Sequence, residues 1–107
     1  MVKVTFYTTA SGRSPVVDYI QGLGKPERAK LLEALGEIED YGFEAIKVRF
    51  RQIEGKLWEI KIASNRIFYV YVGVEELVLL HAYKKQGQKI PLKEREIALK
   101  RMKEVLS

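Results

Sequence analysis

The chain has 107 residues, which favours one domain over residues 1–107, and it contains no cysteine, which excludes disulfides and thiolate metal sites. We find neither a secretory signal nor an apolar run long enough to cross a bilayer, so we expect a cytoplasmic protein without a membrane partner. The net charge of +5 is uneven, with −2 in residues 1–46 and +7 in residues 47–107. This asymmetry favours contact with phosphate groups, although a merely solvated basic surface stays open.

The first half of the chain predicts one strand and two helices. Residues 2–7 alternate and are rich in strand-forming side chains, so they predict a strand. Ser14 and Pro15 open a short helix that ends at Gln21, and Pro26 opens a longer helix that Gly42 ends. The buried stripe predicted for the longer helix consists of Leu31, Leu32, Leu35, Ile38 and Tyr41.

The second half predicts four strands and a final helix. The strands cover residues 47–51, 57–62, 66–72 and 77–83, and the short polar breaks between the last three are typical of an antiparallel meander. Pro91 opens the last helix, which is expected to dock through Ile97, Ala98, Met102 and Val105. The basic residues expected outside on that helix are Lys93, Arg95, Lys100, Arg101 and Lys103.

Alternation along the strands separates apolar from basic side chains. Val48 and Phe50 should point one way, and Arg49 and Arg51 the other, with Lys61 beside the two arginines on the next strand. The apolar face must pack on helices. We therefore predict an α+β fold in which a small antiparallel-rich sheet, an N-terminal strand plus a C-terminal meander, packs against two N-terminal helices and carries a C-terminal helix.

Three motifs along residues 55–98 carry a family resemblance. The first comprises Gly55, Leu57, Trp58, Glu59, Ile60 and Lys61, and Arg66 opens the following strand. The second comprises Leu79, Leu80, His81, Tyr83, Lys84, Lys85, Lys89 and Pro91, and the third Glu96, Ile97 and Ala98. In these residues the chain resembles the RelE/HigB superfamily of type II toxin-antitoxin toxins, in particular its phage-derived HigB-like subfamily. Lys61 stands where that subfamily usually has arginine.

The resemblance implies a RelE-like fold and a ribosome-dependent endoribonuclease that cleaves mRNA. It also implies a partner antitoxin, of the helix-turn-helix HigA-like kind, and no cofactor. The aromatic residue that assists cleavage near the end of better-known relatives has no counterpart here, and the nearest tyrosine is Tyr83. A module of the same fold that has lost catalysis and only binds RNA or protein is the alternative.

RNA cleavage by the neighbouring 2′-hydroxyl requires a proton acceptor, a proton donor and cations that stabilise the extra transition-state charge. The residues expected to supply these catalytic groups are Lys61, Arg66, Lys84 and Lys85. Clustered cations disfavour protonation of one another, so Lys61 is the preferred base and Lys84 or Lys85 the second choice. The residues expected to bind RNA are Arg49, Arg51, Lys56, Tyr83 and Lys89, and we expect no metal ligands.

Structural explanations remain open for each of these residues. Lys61 can pair with Glu59, which lies two residues earlier on the same face, and Arg66 can be a solvated charge at a strand end. The Lys84–Lys85 pair can be a solvated turn. His81 fits a core or hydrogen-bonded histidine better than a general base, and Trp58 fits a core residue better than a stacking platform.

Overall fold

A computed structural model describes residues 2–107 and confirms the α+β fold and the predicted order of elements. A 3₁₀ turn at Gly42–Glu44 links the second helix to the meander. The elements are β1 (Lys3–Phe6), α1 (Pro15–Gln21), α2 (Lys25–Tyr41), β2 (Arg49–Glu54), β3 (Leu57–Ile62), β4 (Asn65–Val72), β5 (Glu76–Lys84) and α3 (Leu92–Leu106). None of the helices in residues 2–107 combines the length and apolarity that a membrane span requires.

The five strands form one mixed sheet in the order β1-β5-β4-β3-β2. Strands β3 to β5 form the predicted antiparallel meander, and β2 extends it by pairing antiparallel with β3. Strand β1 lies parallel to β5, with Lys3 opposite Glu76 and Phe6 opposite Leu79. Strand β5 therefore has a neighbour on both sides and helices over both faces. This position explains why its sequence is apolar on both faces, as strands covered on both sides tend to be.

Helices α1 and α2 pack on one face of the sheet and form the larger core with it. Leu31, Leu35 and Ile38 of α2 are buried there, as predicted. The prediction was wrong for Leu32 and Tyr41, which are 50% and 66% exposed. Leu32 lies about 100° around the helix from Leu31, and Tyr41 is the last residue of α2, whereas buried Ala34 completes the stripe at three-residue spacing.

Leu31 and Leu32 provide a matched test of this packing. The Leu31→Ala variant should lose about 2–5 kcal/mol of unfolding free energy, because Leu31 is fully buried and its truncation leaves a cavity. Leu32→Ala should lose no more than about 0.5 kcal/mol, since half of the side chain already faces solvent. Urea unfolding followed by circular dichroism measures both, and equal losses would contradict the assigned helix face.

Helix α3 covers only part of the opposite face, where Ala98, Leu99 and Met102 pack against Phe68 and Leu80. Arg101 was predicted to lie outside, and this was wrong. Its guanidinium donates to the carbonyl oxygen of Leu80 at 2.9 Å and lies 5.3 Å from the centre of the Tyr7 ring. The physical reason is that Arg101 follows buried Ala98 by three residues and so shares its face of the helix.

The strand predicted at residues 47–51 is observed at Arg49–Glu54, with a bulge between Gln52 and Glu54. The predicted alternation along it is confirmed, since Val48 and Phe50 join the core under α1 and α2 while Arg49 and Arg51 are exposed on the other face. The predicted catalytic residues Lys61 and Arg66 lie opposite each other at one end of that face.

Candidate active site

A row of side chains crosses four strands at the end of the sheet that α3 leaves open. Arg49 on β2 lies opposite Lys61 on β3, Lys61 opposite Arg66 on β4, and Arg66 opposite Tyr83 on β5. Residues opposite one another in a sheet point to the same face, with Cβ atoms about 5 Å apart. Three cations are thus neighbours on three adjacent strands. Like charges in such positions destabilise a sheet, so the row invites a functional explanation.

Arg66 is 9% exposed although its side chain is charged. Its Nη1 atom donates to the carbonyl oxygens of Ala63 at 2.8 Å and Asn65 at 3.1 Å, at the turn between β3 and β4. Ala63 is the non-glycine residue with positive φ (54°) among residues 2–107, so this bond supports a strained turn. No carboxylate in residues 2–107 lies within ion-pair distance of Arg66. A largely buried cation without an acidic partner is suited to an anionic ligand.

The pKa of Lys61 is lowered, first by burial and then by the charges of Arg51 and Arg66. Lys85 lowers it further, and Glu59 acts in the opposite direction. A lysine in this environment gives up its proton more readily than an exposed lysine does. The alternative explanation of Lys61, an ion pair with Glu59, is absent among the ion pairs of residues 2–107, because Glu59 bonds to Arg51 and Tyr83 instead.

Glu59 is fully buried on the same face of the sheet as Lys61, two residues earlier on β3. It lies opposite Arg51 on β2 and opposite Phe68 on β4. Its carboxylate accepts hydrogen bonds from Arg51 at 2.9 Å and from the hydroxyl of Tyr83 at 3.2 Å. Burial, with the Glu59 charge second, raises the pKa of Tyr83 to about 12, so the phenol keeps its proton at neutral pH. Glu59 therefore joins the two predicted RNA-binding residues, Arg51 and Tyr83, into one hydrogen-bonded unit.

Sequence reasoning missed this role of Glu59. The available signal was a buried-strand pattern in which Glu59 alternates with Leu57, which faces α3, and in which Lys61 is the other charged residue. An acid at such a position needs partners to offset its desolvation. Arg51 on the neighbouring strand β2 and Tyr83 on β5, beyond β4, supply two.

The loop between β5 and α3 adds cations to this face. The backbone N–H of Lys85 donates to the carbonyl oxygen of Ser64 at 2.8 Å, which ties the loop to the β3–β4 turn. With Arg51, Lys61, Arg66 and Tyr83, the loop encloses a depression of about 130 Å³ that Lys85 and Lys89 also line. We call this depression the basic cleft. It continues past Arg51 and Lys89 into a wider groove of about 420 Å³.

Lys84 does not belong to the basic cleft. Adjacent residues of a strand point to opposite faces, so Lys84 faces α2 while Tyr83 faces the cleft. Its ammonium group binds the carboxylate of Glu27, which also accepts a hydrogen bond from the Asn65 side chain at 3.1 Å. The expectation that Lys84 and Lys85 share one site is therefore wrong, since Lys85 lines the cleft and Lys84 points to the opposite face of the sheet.

Two other predicted RNA-binding residues lie apart from the cleft lining. Lys56 is in the turn before β3, five residues from Lys61, which corresponds to roughly 16 Å along an extended strand. Arg49 stands at the exposed end of the cation row, on the edge strand β2. Arg51, Tyr83 and Lys89, by contrast, line the cleft.

His81 and Trp58 take the structural positions that the sequence favoured. His81 lies beneath α3, where its ring is 2.6 Å from Glu94 and 3.2 Å from Arg101. Burial is the main cause of its lowered pKa, and the Glu94 carboxylate opposes this shift. Trp58 is half-buried on the opposite face of the sheet from the basic cleft and packs against the larger core.

The Tyr83 ring offers little surface for a stacked base. It is 8% exposed, and it packs against Phe68 with ring centres 5.6 Å apart. What the cleft presents to a ligand is mainly charge: five cations line it, and the carboxylate behind them, Glu59, is already bonded to Arg51. Such an arrangement is suited to binding an anion and to stabilising additional negative charge on it.

Comparison with known proteins agrees with the fold and with the motifs. Residues 18–103 match the family described as "Phage derived protein Gp49-like (DUF891)", and the match includes every residue that lines the basic cleft. No curated protein matches the chain. Because the match spans most of the sequence, the chain belongs to the phage-derived Gp49-like family, which is a RelE-like toxin family.

Proposed function

We propose that this protein is the toxin of a type II toxin-antitoxin system and acts as a ribosome-dependent mRNA endoribonuclease. The observation that carries the proposal is the pair of Lys61 and Arg66, opposite each other in one cleft and without an acidic partner in residues 2–107. A phosphodiester supplies the negative charge that this pair lacks. Membership in a RelE-like toxin family supports the choice of RNA as the source of that phosphodiester.

The proposed reaction begins when neutral Lys61 takes the proton of a 2′-hydroxyl group. The 2′-oxygen attacks the adjacent phosphorus, the bond to the 5′-oxygen breaks, and the products carry a 2′,3′-cyclic phosphate and a 5′-hydroxyl. The Lys85 ammonium group is placed in the same cleft to return a proton to the leaving 5′-oxygen. This chemistry requires no metal ion, because the protein groups supply proton transfer and charge.

Arg66 stabilises the transition state in this scheme. The pentacoordinate phosphorane carries one more unit of negative charge than the substrate phosphodiester, and this charge lies on its non-bridging oxygens. A guanidinium held by two backbone carbonyls is already oriented when that charge develops, so little reorganisation is needed. Arg51 is held by Glu59 and serves to position the RNA backbone rather than to neutralise the reacting phosphate.

Dependence on the ribosome agrees with the shape of the cleft. The cleft is small, and the Tyr83 ring is occupied by Phe68, so the protein offers no wide aromatic platform here for single-stranded RNA. We infer that the ribosome presents the mRNA in an extended form. The exposed basic side chains of α3, among them Lys93, Lys100 and Lys103, are then available for contact with ribosomal RNA.

The decisive experiment compares inducible expression of the wild type with the Lys61→Ala/Arg66→Ala variant. Wild-type protein should arrest growth and generate new mRNA 5′ ends, and the variant should do neither. The control is Lys25→Ala/Lys30→Ala, which removes the same charge from exposed positions on α2, across the sheet from the cleft. This control should behave as wild type.

Purified protein with and without ribosomes separates the proposal from its alternative. Cleavage that requires ribosomes supports the nuclease. Salt-sensitive RNA binding without cleavage, or toxicity that survives the double alanine change, would identify a binding module instead.

A further inference from the structure

The outer edge of β2 lies between two surfaces of opposite character. Strand β2 is at one end of the sheet, and in residues 2–107 its backbone pairs only with β3. An open edge presents backbone N–H and C=O groups that a further strand can pair with. On one face of this edge lie Arg49 and Arg51, and on the other lies Phe50.

The face that carries Phe50 opens into an apolar depression, which we call the aromatic pocket. Its volume is about 480 Å³, and its lining consists of Phe43, Phe50, Trp58, Tyr69 and Tyr71. Phe43 and Tyr71 remain 51% and 38% exposed at its rim. The rings pack edge to face, with 5.0 Å between the centres of Phe43 and Phe50, so the pocket is already formed in the free chain.

We propose that an extended segment of the partner antitoxin pairs with the outer edge of β2, with apolar side chains in the aromatic pocket and acidic side chains against Arg49 and Arg51. Successive side chains of an added strand point to opposite faces, so one segment reaches both surfaces only if apolar and acidic residues alternate. The inference rests on the proposed function in one respect, namely that the partner is the antitoxin.

Charge decides between this occupant and a second copy of the chain. In an antiparallel pair of two β2 edges centred on Phe50, Arg49 of each copy would lie opposite Arg51 of the other, and such like-charge pairs are unfavourable. An acidic segment turns the same two side chains into attractive partners. Because Arg51 also lines the basic cleft, carboxylates on that segment would compete with an RNA phosphate, which gives the contact a means of inhibiting the toxin.

The experiment uses a synthetic peptide of roughly eight residues in which glutamate alternates with leucine, a length that covers a typical strand. Trp58 is the single tryptophan of the chain and lines the aromatic pocket, so its fluorescence reports directly on occupancy. The peptide should shift the emission of the full chain saturably. The matched peptide with lysine in place of glutamate should bind at least about tenfold more weakly.

Variants of the chain test the two surfaces separately. Arg49→Glu and Phe43→Ala should each weaken binding of the glutamate peptide at least about tenfold, through the charged face and the pocket respectively. Leu32→Ala is the control for Phe43→Ala, since the two side chains are almost equally exposed and Leu32 lies on α2 outside the pocket. It should leave binding unchanged.

Backbone methylation distinguishes strand pairing from helix binding in the pocket. N–H groups of a strand point alternately to its two edges, so methylating odd or even positions should abolish binding in one isomer only. Equal binding of both isomers, equal binding of the lysine peptide, or no binding at all overturns the inference, as does a β2-mediated dimer in sedimentation. The assay contains no RNA or ribosome, so its failure is distinguishable from a failure of the nuclease proposal.

Discussion

Replacing Lys61 with arginine should lower ribosome-dependent mRNA cleavage by at least about 100-fold, the range expected for loss of a general base. Arginine keeps the positive charge but does not give up its proton in a protein, so binding of the phosphate survives while proton abstraction fails. Single-turnover cleavage on programmed ribosomes measures the effect. Lys30→Arg on the exposed surface of α2 is the matched control and should cleave at the wild-type rate.

The cleavage rate should depend on pH in the direction expected for a general base. A base acts only when deprotonated, so the logarithm of the cleavage rate should rise with pH until the pKa of Lys61 is passed. Because burial and then the neighbouring cations lower that pKa, the rise should end at a lower pH than it would for an ordinary lysine. Lys85→Gln removes one of those cations and should raise the pKa of Lys61. Because this variant also lacks the proposed proton donor, the shift is measured on the Lys61 side chain and not on the cleavage rate. Carbon-13 labelling of the lysine Cε atoms allows the Lys61 titration to be followed directly by NMR.

Full activity of the Lys61→Arg variant would contradict the base assignment. Lys61 would then act through its charge alone, and Lys85 would become the group to test. An unshifted Lys61 titration in Lys85→Gln would show that the charge of Lys85 does not influence the protonation of Lys61.

The Arg66→Met variant should lose about 10²–10³-fold in cleavage, because the transition state loses a fixed guanidinium. Its unfolding free energy should stay within about 1 kcal/mol of wild type. Methionine fills much of the same space without a charge that needs solvation, while two hydrogen bonds from Nη1 to backbone carbonyls are lost. Cleavage on ribosomes and urea unfolding of the same preparation measure the two quantities.

Arg66→Lys separates charge from geometry at this position. A lysine supplies a cation but not the planar fork that holds two phosphate oxygens, so cleavage should recover only in part. If Arg66→Met instead unfolds the protein, the side chain is chiefly structural. Wild-type cleavage by a folded Arg66→Met protein would remove Arg66 from the mechanism.

The basic cleft lowers the stability of the free protein. Cations on neighbouring strands repel each other, and Arg66 is largely buried with no carboxylate of residues 2–107 within ion-pair distance. Sites that are unfavourable in the free protein commonly gain from a ligand of opposite charge. An RNA phosphate satisfies this requirement during cleavage. In the proposed complex, antitoxin carboxylates beside Arg49 and Arg51 would satisfy part of it and stabilise the toxin.

Local patterns in the sequence were sufficient for most of the fold. Gly42 and Pro15 mark helix ends, and alternation at residues 48–51 assigns Phe50 and Arg51 to opposite faces, because these features depend on neighbours in the chain. The prediction placed Leu32 and Tyr41 in the core, where they are not. The spacing of apolar residues along a helix does not fix the width of its buried face, because that width depends on the sheet against which the helix packs. The same limit applies to Arg101, which turned inward to bind Leu80.

By itself, the sequence determined the order of elements, the alternation of side chains within each strand and the enrichment of cations after residue 47. Only the tertiary structure decided which cations meet. Strand register brings Lys61 and Arg66 side by side, sends Lys84 to Glu27, and buries Glu59 between Arg51 and Tyr83. The physical reason is that periodicity assigns a side chain to a face, whereas its neighbour across the sheet depends on pairing between segments distant in the chain.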